Sequence, residues 1–333
     1  MKALFLVLSL GCLALAAKAQ PRVHPADSLC SFSDTRLALR MGEEGMTADG
    51  AASMLFMPLL PAVDTSGINS GRLWLVGGGL AAANAGIMAY YFTTYYGENS
   101  KTTKWHTFND WYNWDLNVDK LGHVWATQMY SRTLARMFRW TGMSEPSSAI
   151  WGAGVGLLFQ FEMENTDAMY KDWGFSWIDM GANTLGAIWP VLQQQYPALR
   201  SVNLKMWYRP SRLLTQHWVN YVLKDYEGFK YWLTLSLWDV LPASLKPYWP
   251  SWLGIAVGYG AQNTMLGKNT YHNRPDNIGL GDQEWYLALD YDLRKLPGDT
   301  PLLRFLKEEL NLFHLPAPAI RFTPSTVFFG LYF

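Results

Sequence analysis

An aspartate, a lysine and a histidine lie within five consecutive residues of this sequence, and together they could support acid–base or metal chemistry. The segment 119–123 reads DKLGH. In a helix, Asp119 and His123 are four residues apart and share a face, with Lys120 beside them. A carboxylate can raise the basicity of a neighbouring imidazole for general-base catalysis, and the two groups can also bind a divalent cation.

Two later segments carry further polar side chains at helical spacing. Glu164 and Asp167 are three residues apart in FEMENTD, and Asp179 and Asn183 are four apart in FSWIDMGAN. Residues three or four apart lie on one face of a helix. Each pair is therefore predicted to present its polar groups in one direction.

Three successive helices are predicted to position these side chains, over residues 118–140, 147–165 and 176–195. Ser176 is predicted to cap the third helix. Because short connections make successive helices antiparallel, the start of the first, the end of the second and the start of the third should lie at one end of a bundle. The polar residues predicted to meet there are Asp119, Lys120, His123, Glu164, Asp167, Asp179 and Asn183.

This predicted cluster has three open interpretations. It can be structural, with Asp119 and Asp179 favouring helix N-termini and His123 held in a hydrogen-bonded network. It can be a catalytic or divalent-metal site, or it can bind a polar headgroup or glycan. The catalytic candidates are His123, Glu164, Asp167 and Asp179. The candidate metal ligands are His123, Glu164 and Asp179.

An apolar segment precedes the three helices. Residues 73–92 form a run of about 20 apolar or small residues, which is long enough to cross a bilayer. Gly78, Ala82 and Gly86 recur every four residues and would let a neighbouring helix approach closely. The segment is predicted to be either a membrane span or a buried packing helix.

The first 19 residues have the pattern of a secretory signal peptide. Lys2 is followed by an apolar run, and Ala17-Lys18-Ala19 has the small-x-small form of a cleavage site. The alternative is lipid attachment at Cys12. Cleavage after Ala19 leaves Cys30 as the one cysteine of the mature chain, so no intramolecular disulfide can form.

Composition favours an envelope or membrane setting over nucleic-acid binding. The chain has 27 basic and 27 acidic residues, and removal of the signal peptide takes away two lysines, so the mature chain is slightly acidic. It contains 17 Trp, 18 Tyr and 16 Phe. Such rings suit membrane interfaces as well as a bulky core, so membrane or envelope lipids are the expected partners.

The remaining segments complete a predicted α+β fold. Residues 20–72 are predicted to be an irregular lead-in, 73–200 a bundle of three to four helices, and 201–333 a small antiparallel β-rich part. Strands are predicted at 230–238, 252–262, 284–293 and 326–333, with a helix at 301–313. An exposed strand edge could pair with a protein partner.

The motifs resemble a known family. DKLGH, the Glu164-x-x-Asp167 pair and WGFSWIDMGANTLGA at 173–187 are similar to the YfiM-type family of predicted periplasmic lipoproteins, a domain of unknown function from Gram-negative envelopes. A more distant similarity is to VanZ-like membrane proteins, which share the order DKxxH, an acidic or amide residue, and DxxxN. The matching residues are Asp119, Lys120, His123, Glu164, Asp167, Gly174, Ser176, Asp179 and Gly186.

The resemblance implies an envelope location and a compact helical domain, and it brings no established activity. The chain departs from the family at the lipoprotein cysteine, so anchoring is expected from the 73–92 helix or from aromatic surface contacts. The sequence predicts an exported, membrane-associated protein of the periplasm or outer membrane, with a structural or headgroup-binding cluster. The alternative is a membrane-proximal hydrolase or transferase that acts on a lipid or cell-wall precursor through His123 and carboxylate partners, with or without a metal.

Overall fold

The structure is a computed structural model, and all elements below belong to one compact unit, Ile68–Phe333. The predicted signal peptide, Cys12, Cys30 and most of the predicted lead-in lie outside the described residues. The described residues are 67–97, 101–102, 104–109, 111, 115–171, 173–217, 219, 221–264 and 281–332.

Four long helices form the first part of the unit. They are α1 (Ser70–Tyr90, continued by a π-helical turn, Tyr91–Tyr95), α2 (Val118–Trp140), α3 (Glu145–Asp167) and α4 (Trp177–Gln195). Side-chain caps stabilise the N-termini of three of these helices. The side chains of Asn69, Ser144 and Ser176 accept backbone N–H groups in the first turns of α1, α3 and α4. The predicted cap at Ser176 is thus confirmed.

The central helix of the bundle is α2. It packs against α3 and α4 on one side and contacts the first three strands of a sheet on the other. Trp125 on α2 is buried, and its indole Nε1 donates to the carbonyl oxygen of Leu312 at 2.9 Å. Helix α2 therefore carries side chains of the predicted cluster and also side chains that pack in the apolar core.

A six-stranded antiparallel sheet follows, with its strands adjacent in chain order. The strands are β1 (Val202–Tyr208), β2 (Phe229–Leu235), β3 (Leu253–Gln262), β4 (Asp282–Tyr291), β5 (Ala317–Arg321) and β6 (Val327–Tyr332). Three short helices connect them, α5 (Arg212–Thr215), α6 (Leu237–Val240) and α7 (Pro301–Leu310). The predicted α+β class is confirmed, and the sheet has β1 and β5 in addition to the four predicted strands.

The sheet curls strongly. The rings of Trp232 on β2 and Tyr332 on β6 have centroids 5.9 Å apart, whereas four flat strand spacings would separate these strands by roughly 19 Å. The segment before β5 also reaches β1, because Met206 donates its N–H to Leu312 and accepts that of His314. We call the face that carries Trp232 the concave face and the opposite face the convex face.

The concave face contains buried charges that pair across strands. Lys205 Nζ lies 2.8 Å from Asp290 Oδ2, and Lys230 Nζ lies 2.9 Å from Glu284 Oε2. His314 is also buried there and stacks on Trp232 with a centroid distance of 4.0 Å. The interior of the curled sheet therefore combines ion pairs with aromatic rings.

His314 should make the fold sensitive to acid. Burial, together with the nearby Lys205 ammonium, lowers the pKa of His314 from 6.5 to about 3. The folded state therefore holds the neutral ring. The contribution of His314 to the free energy of unfolding is constant above pH 6.5, and it falls as the pH falls towards 3, because protons then bind the unfolded state more tightly. We expect the free energy of unfolding, measured with denaturant at several pH values, to fall over this range.

The comparison variant is His314→Gln, which cannot titrate there. Its unfolding free energy should fall less steeply between pH 6.5 and 3 than that of the wild type, whatever its starting stability. Equal slopes for the two proteins would show that His314 is not the source of the acid sensitivity.

Candidate functional site

Six polar side chains from α2, α3 and α4 meet at one end of the bundle, as the spacing predicted. Two of the helices begin at this end and one finishes there. We call this group the polar cluster, and its members are Asp119, Lys120, His123, Glu164, Asp179 and Asn183.

The imidazole of His123 lies at the centre of the polar cluster. Its Nε2 atom is 3.6 Å from Asp119 Oδ2, 3.7 Å from Asp179 Oδ1 and 4.0 Å from Glu164 Oε1. These separations are too long for hydrogen bonds. They are close to the spacing between ligand atoms around a cation whose bonds are about 2.0–2.2 Å long.

The other ring nitrogen indicates which tautomer is present. His123 Nδ1 lies 3.1 Å from Asn183 Oδ1, and Gln160 Nε2 donates to the same oxygen at 2.7 Å. With Asn183 Oδ1 as the acceptor, Nδ1 carries the hydrogen and donates. In the neutral ring, Nε2 then has a lone pair that faces the three carboxylates.

Lys120 supplies positive charge within the polar cluster. Its Nζ lies 3.1 Å from Asp119 Oδ2 and 2.8 Å from Asp179 Oδ1, the same two oxygens that face His123. Asp119 also accepts from the hydroxyl of Tyr226 at 2.9 Å, and Glu164 accepts the backbone N–H of Ser176 at 3.0 Å. Three carboxylates are thus opposed by a single ammonium, and the remaining negative charge requires protons or a cation.

The pKa shifts indicate which groups bind the protons that offset this negative charge. Burial alone would lower the pKa of His123, but the carboxylates of Asp119, Asp179 and Glu164 raise it to about 9. Burial raises the pKa of Glu164 to about 8. Burial opposes ionisation of Asp119 too, but His123 and Lys120 outweigh it and lower the pKa of that group. At neutral pH without metal, these shifts favour an imidazolium at His123 and a protonated Glu164.

Solvent reaches the polar cluster from one side. The side chains of His123 and Asp119 are 22% and 21% exposed, whereas Glu164 is 2% exposed. An ion or a small polar group from solution would therefore meet Asp119 and His123 first.

Two of the three predicted metal ligands, His123 and Asp179, belong to the group of closely spaced ligand atoms in the structure. The prediction named His123, Glu164 and Asp179, whereas the ligand atoms that lie within 4.8 Å of one another belong to Asp119, His123 and Asp179. Glu164 adjoins this group: its Oε1 lies 4.0 Å from His123 Nε2, and its other oxygen accepts the N–H of Ser176. Asp119 was predicted as a member of the cluster only.

Asp167 lies one helical turn beyond Glu164 and has its own partner. The hydroxyl of Tyr96 donates to its Oδ1 atom, and burial raises its pKa to about 7. Among the described interactions, Asp167 makes no direct contact with His123 that would support its predicted catalytic role.

Three contacts of the cluster were not predicted, namely those of Thr127, Gln160 and Tyr226. Thr127 Oγ1 lies 2.8 Å from Asn183 Oδ1. Thr127 is four residues after His123, and Gln160 is four residues before Glu164, so extension of the same helical spacing would have found both. Tyr226 comes from the region between β1 and β2, and no local pattern indicates its contact with Asp119.

Comparison with known proteins finds one family. Residues 108–195 match the model of a family described as "Predicted periplasmic lipoprotein (DUF2279)". The matched residues contain α2, α3, α4 and the whole polar cluster, and the description supports an exported protein of the periplasm and envelope. The predicted likenesses to YfiM-type and VanZ-like proteins remain predictions. No curated protein and no solved structure matched the chain.

The close contact of α2 with α4 depends on Gly186. A Cβ atom at this position would lie 2.3 Å from the backbone oxygen of Val124. Gly186→Ala should therefore destabilise the fold by about 1–3 kcal/mol, because the helices must separate. Thermal and chemical unfolding of the purified protein would measure this loss.

Gly181 provides a matched control on the same helix, since a Cβ there would meet nothing within 4 Å. Gly181→Ala should stabilise the protein by roughly 0.5–1 kcal/mol through lower chain entropy. If both substitutions had the same effect, the approach of α4 to α2 at Gly186 would not be tight.

Proposed function

We propose that this chain is an exported, membrane-associated envelope protein whose polar cluster binds a divalent cation. One observation carries the proposal of a cation site: the Nε2 atom of His123 faces three carboxylate oxygens at 3.6–4.0 Å, with Lys120 as the one opposing ammonium in the polar cluster. The family description supports export to the envelope. Membrane association has separate support from the helices.

The first helix favours membrane association over burial in the protein. The segment Ser70–Tyr95 has a mean hydropathy of 1.3 over an 18-residue window, and 11% of that window is buried. Trp74 is 81% exposed. A packing helix of a water-soluble protein would bury most of such a segment. Length and composition also allow it to cross a bilayer.

Exposed apolar stripes on α3 and α4 add to this support. Their members recur at helical spacing, so each set lies along one face. Contiguous apolar surface of this kind is typical of membrane or protein contact sites. The residues are Trp151, Leu158 and Phe161 on α3, and Trp177, Leu185 and Ile188 on α4.

Charge and ligand chemistry favour a divalent cation at the polar cluster. A neutral imidazole with carboxylate oxygens is a ligand set that zinc accepts, and an open side leaves room for water. A divalent ion would replace the protons that otherwise balance Asp119, Glu164 and Asp179. Metal binding at neutral pH should therefore release the proton from His123.

Calorimetry with Zn²⁺ alone on the purified full chain tests the cation site. The wild type should bind zinc, with an observed enthalpy that depends on the buffer because protons are released. His123→Gln and Asp119→Asn should weaken binding by at least about 10–100-fold, since even groups that only orient ligands contribute this much. Glu145→Gln, an exposed carboxylate at the other end of α3, is the matched control and should bind as the wild type does.

Two results would contradict the cation site. One is a wild-type protein that takes up no zinc, and the other is equal uptake by all four proteins. In either case the polar cluster would act as a structural network.

A substitution of Lys120 distinguishes a structural role of the polar cluster from a cation site. Its ammonium occupies the same two oxygens that would bind the cation. Lys120→Met should lower the melting temperature of the metal-free protein, because breaking a buried ion pair costs roughly 3–5 kcal/mol. Zinc should then restore the melting temperature of this variant more than it raises that of the wild type. A variant that zinc does not stabilise would indicate a purely structural network.

A hydrolase or transferase acting on a lipid or cell-wall precursor is the second candidate function. The observation that favours it is the partial exposure of His123 and Asp119, which places an imidazole and a carboxylate where a substrate could reach them. His123→Gln should then reduce headgroup release from lipid vesicles by at least about 100-fold, the usual contribution of a general base, without a matching loss of melting temperature. Recognition of a headgroup without reaction remains a prediction.

A further inference from the structure

Part of the convex face packs against α2, where Met206, Tyr231 and Ala261 are buried. Away from this contact, the polarity of the sheet is reversed relative to that of a water-soluble sheet. Antiparallel sheets with one solvated face normally bury apolar side chains and expose polar ones. Here the buried concave face holds the ion pairs of Lys205 with Asp290 and of Lys230 with Glu284. The exposed large apolar residues of the convex face are Leu233, Val257, Trp285, Leu287, Phe328 and Leu331.

The strand register explains this division. Side chains alternate between the two faces along each strand, and the pairings of β2 to β5 keep the faces aligned across the sheet. Trp232, Gly258 and Tyr286 are directly paired on the concave face, whereas Leu233 pairs with Val257, which pairs with Leu287, on the convex face. One continuous apolar row therefore crosses three strands.

On the convex face, the type of apolar side chain changes along the direction of the strands. Among the four outward-facing pairs of β3 and β4 from Leu253 to Tyr259, the first and the last contain aromatic rings and the two between them are aliphatic. The pairs are Leu253 with Tyr291, Ile255 with Leu289, Val257 with Leu287, and Tyr259 with Trp285. Tyr291 packs against Trp252 at a centroid distance of 5.9 Å, and Tyr259 against Trp285 at 4.8 Å.

The length of this band along the strands approaches the height of the apolar band of sheets in membranes. Leu253 and Tyr259 are six residues apart, which corresponds to roughly 20 Å at about 3.3 Å per residue. Sheets in bilayers present an outward apolar band of about 25 Å between two aromatic girdles, with polar side chains on the inner face. β3 and β4 have 10 residues each, which agrees with the length that such strands need.

We propose that the exposed convex face of β3 and β4, outside the area that α2 covers, lies in the hydrocarbon of a lipid bilayer. Charge complementarity favours this occupant, because the described strand residues on this face include no Lys, Arg, Asp or Glu. The placement of the rings distinguishes lipid from protein. Protein interfaces concentrate aromatic anchors near their centre within a polar rim, whereas on β3 and β4 aliphatic residues occupy the centre and rings flank them. Phe328 of β6 lies level with the aliphatic row.

The proposal rests on the proposed membrane association and is independent of the cation site. It assigns a second lipid contact to a part of the chain distant in sequence from α1. The test must therefore report on the sheet itself, since α1 alone could hold the chain on vesicles.

Fluorescence quenching tests the location of the sheet. In the full chain with Cys12 and Cys30 replaced by Ser, a single cysteine at Leu287 carries an environment-sensitive dye. Gln283→Cys is the matched control, because Gln283 is exposed on the same strand and face but lies beyond the Tyr259–Trp285 pair. Vesicles of phosphatidylethanolamine and phosphatidylglycerol carry a nitroxide either on the acyl chain or on the headgroup.

The dye at Leu287 should lose more fluorescence to the acyl-chain nitroxide, and the dye at Gln283 more to the headgroup nitroxide. If the chain floats with the vesicles but the acyl-chain nitroxide does not quench the dye at Leu287, the sheet proposal is overturned and membrane association stands. If the chain does not float, both fail. Efficient disulfide cross-linking of the unlabelled Leu287→Cys variant in vesicles would assign the face to a second copy and would also overturn the proposal.

Discussion

Charges that have left water must be paired, and this requirement organises both parts of the molecule. In the bundle, the ammonium of Lys120 lies between the carboxylates of Asp119 and Asp179 and links the first turns of α2 and α4. In the sheet, Lys205 and Asp290, which are 85 residues apart in the chain, connect β1 with β4. A buried ion without its partner would destabilise the fold far more than a surface ion. The positions of the helices and strands are therefore tied to these pairings.

The two parts share α2. Its first turns present Asp119 and His123 to α3 and α4, and Trp125 on another face donates to the chain that enters β5. Tyr226 adds a second link, because its hydroxyl binds Asp119. The polar cluster is thus supported by both the bundle and the sheet region, although the helical residues alone carry its ionisable groups.

The long helices and the meeting of their polar residues could be predicted because both follow from local periodicity. A spacing of three or four fixes a helix face, and short connections fix the antiparallel order. Strands β1 and β5 were not predicted. The Lys205 charge interrupts the apolar pattern of β1, and it is tolerated only because Asp290 lies across the interior. β5 is five residues long and contains Pro318. Its place in the sheet depends on pairing with β4 and β6, which no local pattern specifies.

The contact between β1 and the segment before β5 limits how copies of this chain can associate. Met206 already exchanges hydrogen bonds with Leu312 and His314, so the outer edge of β1 is partly covered by its own chain. Among the described strands, β6 pairs with β5 alone. Strand addition between copies would therefore join one β6 to another, which is a two-fold symmetric contact that ends at a dimer. An open-ended filament would need β6 of one copy to displace the chain that already lies along β1 of the next.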